Sequence, residues 1–274
     1  MSLSVIVPAC NEAGYIGACL TAVLDSTDIA GLDVVVAANG CTDDTAARAR
    51  AFQERFAQRG WRLEVLELPA LGKPGALDAA DAAARHDMRA YLDADVCISP
   101  RLLSQLVAAL SVPQPLYASG RPHVTAHSPI SRAYARFWTR LPFVADGVPG
   151  FGIFAVNAQG RARWAQFPKI ISDDTFVRLL FAPHERVMVA ASYDWPLIEG
   201  FRRLVRVRRR QDDGVRELAR LYPALMENDA KDSPTGPWLL KQAFRDPVAF
   251  ATYAAVTLAV KSGIGRQEGW ARGR

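Results

Sequence analysis

Apolar and polar positions alternate in blocks along the first hundred residues. Ser4-Val5-Ile6-Val7-Pro8 is a short apolar run closed by proline, and Asn11-Glu12-Ala13-Gly14 follows as a polar loop. Apolar residues then recur at helical spacing at Ile16, Leu20, Val23 and Leu24, which predicts strand, loop and helix in that order. The theme returns with an apolar run over 33–38, the loop Asn39-Gly40-Cys41-Thr42-Asp43-Asp44-Thr45 and an alanine-rich helix to about Arg59. Thr42 or Asp43 is placed to cap that helix, with acids beside its positive end. A third strand over 63–67 leads through the loop Leu71-Gly72-Lys73-Pro74-Gly75 to a helix over 76–86. The fourth, over 90–93, runs into Asp93-Ala94-Asp95, and Ser99-Pro100 then reads as an N-cap with proline at the first helical position, opening a helix to Leu110. Strands alternating with helices predict an α/β fold with right-handed crossovers and a mostly parallel central sheet flanked by helices.

Beyond Leu116 the pattern becomes irregular. Prolines 113, 115, 122 and 129 break it, a helix is predicted over 131–140, and Gly147-Val148-Pro149-Gly150-Phe151-Gly152 precedes the apolar run 153–156. Ile170-Ile171-Ser172-Asp173-Asp174-Thr175 comes next, then a strand over 186–190 and a basic helix-like segment over 201–221. The stretch 227–237, rich in Asp, Pro and Gly, reads as a linker. The following segment 247–261 is apolar almost all round, interrupted mainly by Thr252 and Thr257, so it must be buried on the rest of the chain, on a second subunit in a homodimer, or in a bilayer interface. The expected division is a main domain over 1–226, with a nucleotide-binding half 1–110 and a second-ligand half 111–226, then a linker and C-terminal helical extension over 227–274.

Composition narrows this picture. A chain of 274 residues, half of them hydrophobic and 22% charged, has the make-up of one large globular α/β domain with an appendage. The net charge of +5 is modest, so no nucleic-acid partner is expected, but six arginines fall between Arg202 and Arg210. Cys10, Cys19, Cys41 and Cys97 are dispersed without Cys-x-x-Cys spacing, which argues against structural zinc and for a reducing compartment. No basic segment followed by an apolar run stands at the N-terminus, so the start reads as a first strand rather than a signal peptide. A cytoplasmic location is expected, with peripheral contact at the cytoplasmic face of a membrane, since the apolar run 248–260 is shorter than the about 20 residues a span requires.

Several residues carry candidate chemistry. Acids at the carboxyl end of a strand in an open α/β sheet face the crevice where ligands collect, which draws attention to Asp93 and Asp95. Taken alone, Asp-x-Asp is a common turn former. Asp173 and Asp174 alone suit a helix N-terminus, with Ser172 as cap. Lys73 alone sits in a Gly-Lys-Pro-Gly turn. His123 and His127 are four apart but bracketed by Pro122 and Pro129, with no Glu after the first, and are read as structural.

In order and interval these pieces resemble the family 2 glycosyltransferases, nucleotide-sugar-dependent enzymes of the GT-A fold, over residues 3–214. The carriers are the opening 5–12, the loop 39–45, Gly72-Lys73-Pro74-Gly75-Ala76-Leu77, Asp93-Ala94-Asp95, Gly150-Phe151-Gly152 and Ser172-Asp173-Asp174. The resemblance implies a UDP- or GDP-sugar donor, a hydroxyl acceptor, an inverting reaction and a divalent cation, Mg²⁺ or Mn²⁺, held by oxygen ligands. By the same resemblance Asp95 reaches the metal directly while Asp93 holds the sugar or ribose and the metal's edge. Asp174 is then the base that accepts the acceptor's proton, with Asp173 orienting the acceptor or acting in its place. Lys73 falls near the diphosphate or the nucleotide base. Pro8, Ala9 and Glu12 line the base pocket, Gly150, Phe151 and Gly152 border the acceptor, and His184 stands where some relatives place a further metal ligand.

The chain departs from the family pattern in two places. Where relatives show two acids before the glycine, this chain has Ala38-Asn39-Gly40, which passes base recognition to Asn39 or Asp43. The arginine run resembles the segment that carries Gln-x-x-Arg-Trp in processive relatives, but Gln and Trp are missing. Arg206 and Arg209 are thus either phosphate ligands or part of a basic surface facing anionic lipid, and single-sugar transfer is favoured over polymer synthesis. A sugar-nucleotide pyrophosphorylase would need a Gly- and Arg-rich phosphate loop after the first strand, where Ala9-Cys10-Asn11-Glu12 stands. The rival from another class is a non-catalytic nucleotide-sugar-binding module.

Overall fold

The computed structural model of the chain describes residues 2–230 and 233–262. In chain order the elements are β1 (Ser2–Ala9), α1 (Ile16–Leu24), β2 (Gly31–Asn39), α2 (Thr45–Arg50), α3 (Gln53–Gln58), β3 (Arg62–Leu68), α4 (Gly72–Ala83), β4 (Arg89–Leu92), β5 (Cys97–Ile98) and α5 (Leu102–Leu110). They continue with β6 (Tyr117–Thr125), α6 (Pro129–Trp138), α7 (Pro142–Ala145), β7 (Ile153–Val156), α8 (Ala158–Arg161), α9 (Asp173–Leu179), β8 (Arg186–Pro196), α10 (Phe201–Leu221), α11 (Gly236–Arg245) and α12 (Pro247–Lys261). Two compact units result, one formed by the stretches up to His123, Gly150–Lys169 and Asp173–Trp195, the other by Val124–Pro149, Ile170–Ser172 and the chain from Pro196 onward.

The first unit is built on a mixed sheet of order β3-β2-β1-β4-β7-β6-β8-β5. Its central strands are near-continuous apolar runs because both faces are covered: Leu3, Val5, Ile6 and Val7 of β1 and Val34, Val35, Val36 and Ala37 of β2 are fully buried. The pairings β1 with β2, β2 with β3 and β1 with β4 are parallel, with Ile6 opposite both Val35 and Tyr91. Helical crossovers separate these strands, as parallel pairing requires. Past β4 the sheet turns antiparallel, with Leu92 opposite Ile153 and Ala118 opposite Ala155. The chain winds outward from β1 to β2 and β3, then returns to the other side of β1 to lay down β4. The crevice at the carboxyl ends of β1 and β4 is therefore the topological switch point of the sheet.

Three local expectations shift. The alanine-rich helix is divided into α2 and α3, with the Phe52 N–H donating to Ala49 O at 3.1 Å in a tightened turn that brings both Phe52 and Phe56 onto the core. Helix α5 begins two residues late, because Ser99 is held by the sheet through its N–H to Ser192 O at 3.0 Å and its carbonyl accepts from Leu102 N–H at 3.0 Å. Most consequential, α4 begins at Gly72 rather than Ala76, so Lys73 lies in the first helical turn instead of a loop. Pro74 fits there because the first-turn N–H groups have no intrahelical partner to lose, and Gly72 supplies the φ of +76° at the entry.

The second unit is helical. Ser128 caps α6 through Ser131 N–H, with Pro129 at the first position. Phe137 of α6 stacks on Tyr253 at 4.4 Å and meets Phe250 and Trp238 edge-on, which buries the inner faces of α11 and α12. Asp246 caps α12 through Ala249 N–H at 3.0 Å and accepts from Arg136 Nε at 2.8 Å. The Arg136 guanidinium, that cap bond and Arg140 hold its carboxyl down at about 2. At the other end of α12, Arg209 Nη2 donates to Ala259 O at 2.5 Å and Nε to Val260 O at 3.4 Å, satisfying terminal carbonyls. The segment 247–261 is thus buried on its own chain along one face, whereas Val248 and Leu258 on the other stay 62% and 67% exposed. The basic tail 263–274 and residues 231–232 of the linker lie outside the described residues.

One buried acid ties the sheet's edge together. Asp33 on β2 accepts from Ser4 Oγ at 2.9 Å, from Arg85 N–H at 2.8 Å and from Arg62 Nη1 at 2.7 Å. Burial alone would raise its pKa, but the Arg85 N–H, the Arg62 guanidinium and the Ser4 hydroxyl outweigh it and hold the carboxyl below its ordinary value. Its stabilising contribution is complete above the unfolded-state pKa of about 3.9 and is lost as pH falls through the lower folded-state value. Asp33→Ala should cost roughly 2–4 kcal/mol in denaturant unfolding at pH 7, and the gap from the unaltered protein should close as the titration is repeated below about pH 3.

Candidate active site

The loops after β1 and β2 are stapled to each other before any ligand is considered. Asn11 takes a left-handed conformation, φ +57°, which asparagine tolerates, and its Oδ1 accepts from Thr42 N–H at 2.7 Å. Thr45 Oγ1 accepts from Glu12 N–H at 2.8 Å. Asp43 receives Ala13 N–H at 3.1 Å on one oxygen and Thr45 N–H at 3.0 Å on the other. These bonds overcome the opposing effect of burial and keep its carboxyl below the usual range. Asn39, buried at the end of β2, accepts from Leu71 N–H at 2.8 Å and so ties that strand to the entry of α4.

Lys73, carried in the first turn of α4, points its ammonium at two carboxylates. Nζ lies 3.1 Å from Asp93 Oδ1 and 3.2 Å from Asp173 Oδ2. Burial of the site disfavours its charge, but Asp173, Asp93 and Asp174 outweigh that and hold its pKa well above the ordinary lysine value. Asp93 leaves the end of β4 in a turn, its N–H donating to Gly152 O at 2.8 Å and its carbonyl accepting from Val96 N–H at 3.1 Å. Asp93 thus takes part in a turn and also faces the crevice. Asp173 and Asp174 open α9, beside its positive end. Asp173 is buried, which raises its pKa; Lys73 pulls it down, while Asp174 and Asp93 push it further up, and the balance lies above the ordinary value. Asp174 is half-buried and accepts from Thr175 N–H at 2.6 Å.

A cavity at the switch point is lined by Pro8, Lys73, Asp93, Gly150, Gly152, Asp173 and Asp174, residues drawn from the ends of β1 and β4, the starts of α4 and α9, and the segment before β7. Ala9 and Asn39, at the ends of β1 and β2, and Glu12, Asp43, Asp95 and Phe151, in the adjoining loops, lie outside its wall. Phe151 packs its ring on Trp195 at 4.7 Å, and its carbonyl accepts from Tyr193 Oη at 2.7 Å. Arg206 and Arg209 belong to α10 in the other unit, where Arg206 is exposed and Arg209 serves the end of α12. His184 lies exposed in a short 3-10 turn, Pro183–Glu185. It is not gathered with Asp93 and Asp95, since among the described residues no three His, Cys, Asp or Glu side chains form a metal-binding group. His123 bonds Asp194 through Nδ1 at 2.7 Å, and the His127 N–H donates to Glu199.

The wall also contains Leu77, Tyr91, Leu92 and Phe154. Tyr91 and Leu92 are signalled by their place beside Asp93 on an apolar strand and Leu77 by closing the Gly72–Leu77 motif; Phe154 has no signal beyond apolar periodicity. Tyr117 has none at all. Its ring stacks on Phe154 at 5.5 Å, and its hydroxyl is buried without a hydrogen-bond partner among the described residues. A Cβ on Gly150 would lie 1.6 Å from that oxygen, and Gly150 has φ +68°. Glycine is thus required here on two counts.

The family model for glycosyl transferase family 2 matches residues 4–162, more than half of the chain, and the chain belongs to that family. It is a glycosyltransferase with the GT-A fold. Among solved structures, the chain is similar to the mannosyltransferase PcManGT from Pyrobaculum calidifontis in complex with GDP-Man and Mn²⁺, with TM-score 0.62, 21% identity, and coverage of 97% of this chain and 76% of that one. It is also similar to S. aureus TarS 1-349, with TM-score 0.55, 15% identity and coverage of 97% and 74%. The same S. aureus protein in complex with UDP-GlcNAc gives TM-score 0.50, 15% identity and coverage of 95% and 82%. No curated protein matches the chain.

Gly150→Ala should destabilise the protein by about 2–4 kcal/mol, combining positive-φ strain with overpacking against Tyr117. Gly150→Ala combined with Tyr117→Phe should recover part of that loss, measured as a double-mutant cycle by chemical denaturation.

Proposed function

We propose that the protein is an inverting glycosyltransferase that moves one sugar from a UDP- or GDP-sugar to an acceptor hydroxyl, assisted by Mg²⁺ or Mn²⁺, with Asp174 as general base. The observation that carries this reading is the Lys73 ammonium held between Asp93 and Asp173 at the switch point of the sheet. That crevice combines a fixed positive charge, suited to a diphosphate, with carboxylates suited to a cation and to a proton. The similar structures in complex with GDP-Man and Mn²⁺ and with UDP-GlcNAc support the same donor class and a divalent cation.

The donor set at the end of β4 suits such a cation. Asp93 and Asp95 are one residue apart, partly exposed and supply only oxygen, the chemistry that hard divalent ions prefer. Asp95 would hold the ion directly, and Asp93 the donor's sugar or ribose together with the ion. When bound, the ion neutralises charge on the departing diphosphate.

The remaining work falls to this chain's own side chains. Lys73 stays charged throughout, as its three acidic neighbours ensure, and offers its ammonium to phosphate oxygens. Asp173 is committed to Lys73 and buried, so it positions that ammonium. Asp174 keeps partial exposure to the cavity and takes the proton of the acceptor hydroxyl as that oxygen bonds to the anomeric carbon. The bond between the anomeric carbon and the phosphate oxygen breaks with its electron pair leaving on the nucleoside diphosphate, and attack from the opposite face inverts the anomeric centre. Gly150 and Gly152 contribute backbone to the acceptor side of the cavity, since Tyr117 fills the space where a side chain of Gly150 would stand and Trp195 and Val96 that of Gly152.

Incubation with a panel of nucleotide sugars, with and without Mn²⁺, should give metal-dependent release of nucleoside diphosphate from at least one donor. Asp95→Ala should reduce that release about a hundredfold; unchanged metal-dependent turnover would remove Asp95 from the metal site. Asp174→Asn should lower transfer by about 10²–10⁴-fold while calorimetry records the same donor affinity. Equal loss of donor binding would show that Asp174 is not the base.

A further inference from the structure

We propose that the outer faces of α11 and α12 form a docking surface for the headgroup region of an anionic lipid bilayer. On α12 the exposed positions Val248, Ala251, Ala255 and Leu258 follow a three- and four-residue spacing and so share one face, while Ala249 and Val256 are fully buried against the rest of the unit. Leu240 and Phe244, four apart on α11, are 60% and 82% exposed, and Gln242 between them is buried. Large apolar side chains left this open in a chain with a full core mark an interaction surface rather than a packing remainder.

The charges select the occupant. The exposed charged residues of these two helices are Lys241, Arg245 and Lys261, all basic. The single acid of the segment, Asp246, is engaged by Arg136 and Arg140 and by its capping bond. In a two-fold dimer the same patch would meet itself and bring these bases against one another with no carboxylate to pair them. A negatively charged leaflet offers the complementary partner: apolar faces sink to the boundary of headgroup and acyl chain while lysine and arginine reach phosphate. No described helix is long and apolar enough to cross a membrane, and the 15 residues of α12 fall short of the about 20 a span needs, so this surface lies on the bilayer. The inference goes beyond sugar transfer and stands apart from it, since docking requires neither donor nor catalysis.

Flotation of the full chain with vesicles tests it. The chain should float with phosphatidylcholine vesicles containing phosphatidylglycerol, far less with phosphatidylcholine alone, and less again as salt is raised. The paired substitutions Leu240→Ser with Phe244→Ser, and separately Lys241→Glu with Arg245→Glu, should each weaken partitioning about tenfold or more. Because all four side chains are exposed, far-UV circular dichroism and the thermal midpoint should stay unchanged. Absence of flotation with either vesicle, equal flotation with neutral vesicles, or variants that bind as the unaltered chain does would overturn the proposal. So would a concentration-dependent dimer in sedimentation that Leu240→Ser with Phe244→Ser abolishes, since it would assign the surface to a second copy.

Discussion

Three carboxylates converge on one crevice of this protein, and a single ammonium makes that arrangement tenable. Asp93, Asp173 and Asp174 come from distant parts of the chain, and like charges brought this close resist folding unless a counter-charge stands among them. Lys73 supplies it, at 3.1 Å from Asp93 and 3.2 Å from Asp173. Its placement depends in turn on α4 starting at Gly72, on the Leu71 N–H docking to Asn39, and on the β4 turn presenting Asp93. Without the lysine, burial, Asp174 and Asp93 all push the nearest buried acid, Asp173, toward its neutral form.

The sheet determines why these groups meet where they do. Parallel strands β3, β2, β1 and β4 deliver their carboxyl ends to one edge, and the reversal of strand order between β1 and β4 places the crevice there. Antiparallel pairing of β7 with β4 then brings Gly152 to the backbone of Asp93. A wholly parallel sheet would have required another crossover at that position and closed the far side of the crevice.

Much of this was legible from the chain's pattern, for stated reasons. The strands of the first hundred residues are short apolar runs ended by polar loops, α10 is periodic over its full length, and the segment of α12 is apolar almost all round, so local signals suffice. Lys73 was read as part of a loop because glycine and proline on either side of it punctuate most turns; its helical setting comes from Gly72 entering with positive φ and Pro74 occupying a position with no bond to lose. The antiparallel half of the sheet and the stacking of Tyr117 on Phe154 rest on contacts between residues far apart in sequence, which periodicity does not encode. In the arginine run, contacts far apart in sequence engage two members, Arg208 with Tyr134 and Arg209 with the end of α12, while Arg206 stays exposed.

Asn39 offers a last consequence. Its carbonyl oxygen faces the Leu71 backbone N–H, which settles the orientation of the amide and turns its nitrogen the other way. A side chain anchored in this manner presents hydrogens, whereas the paired acids of relatives would present lone pairs. At this end of β2 an amide therefore supplies donors of a kind that a carboxylate does not have.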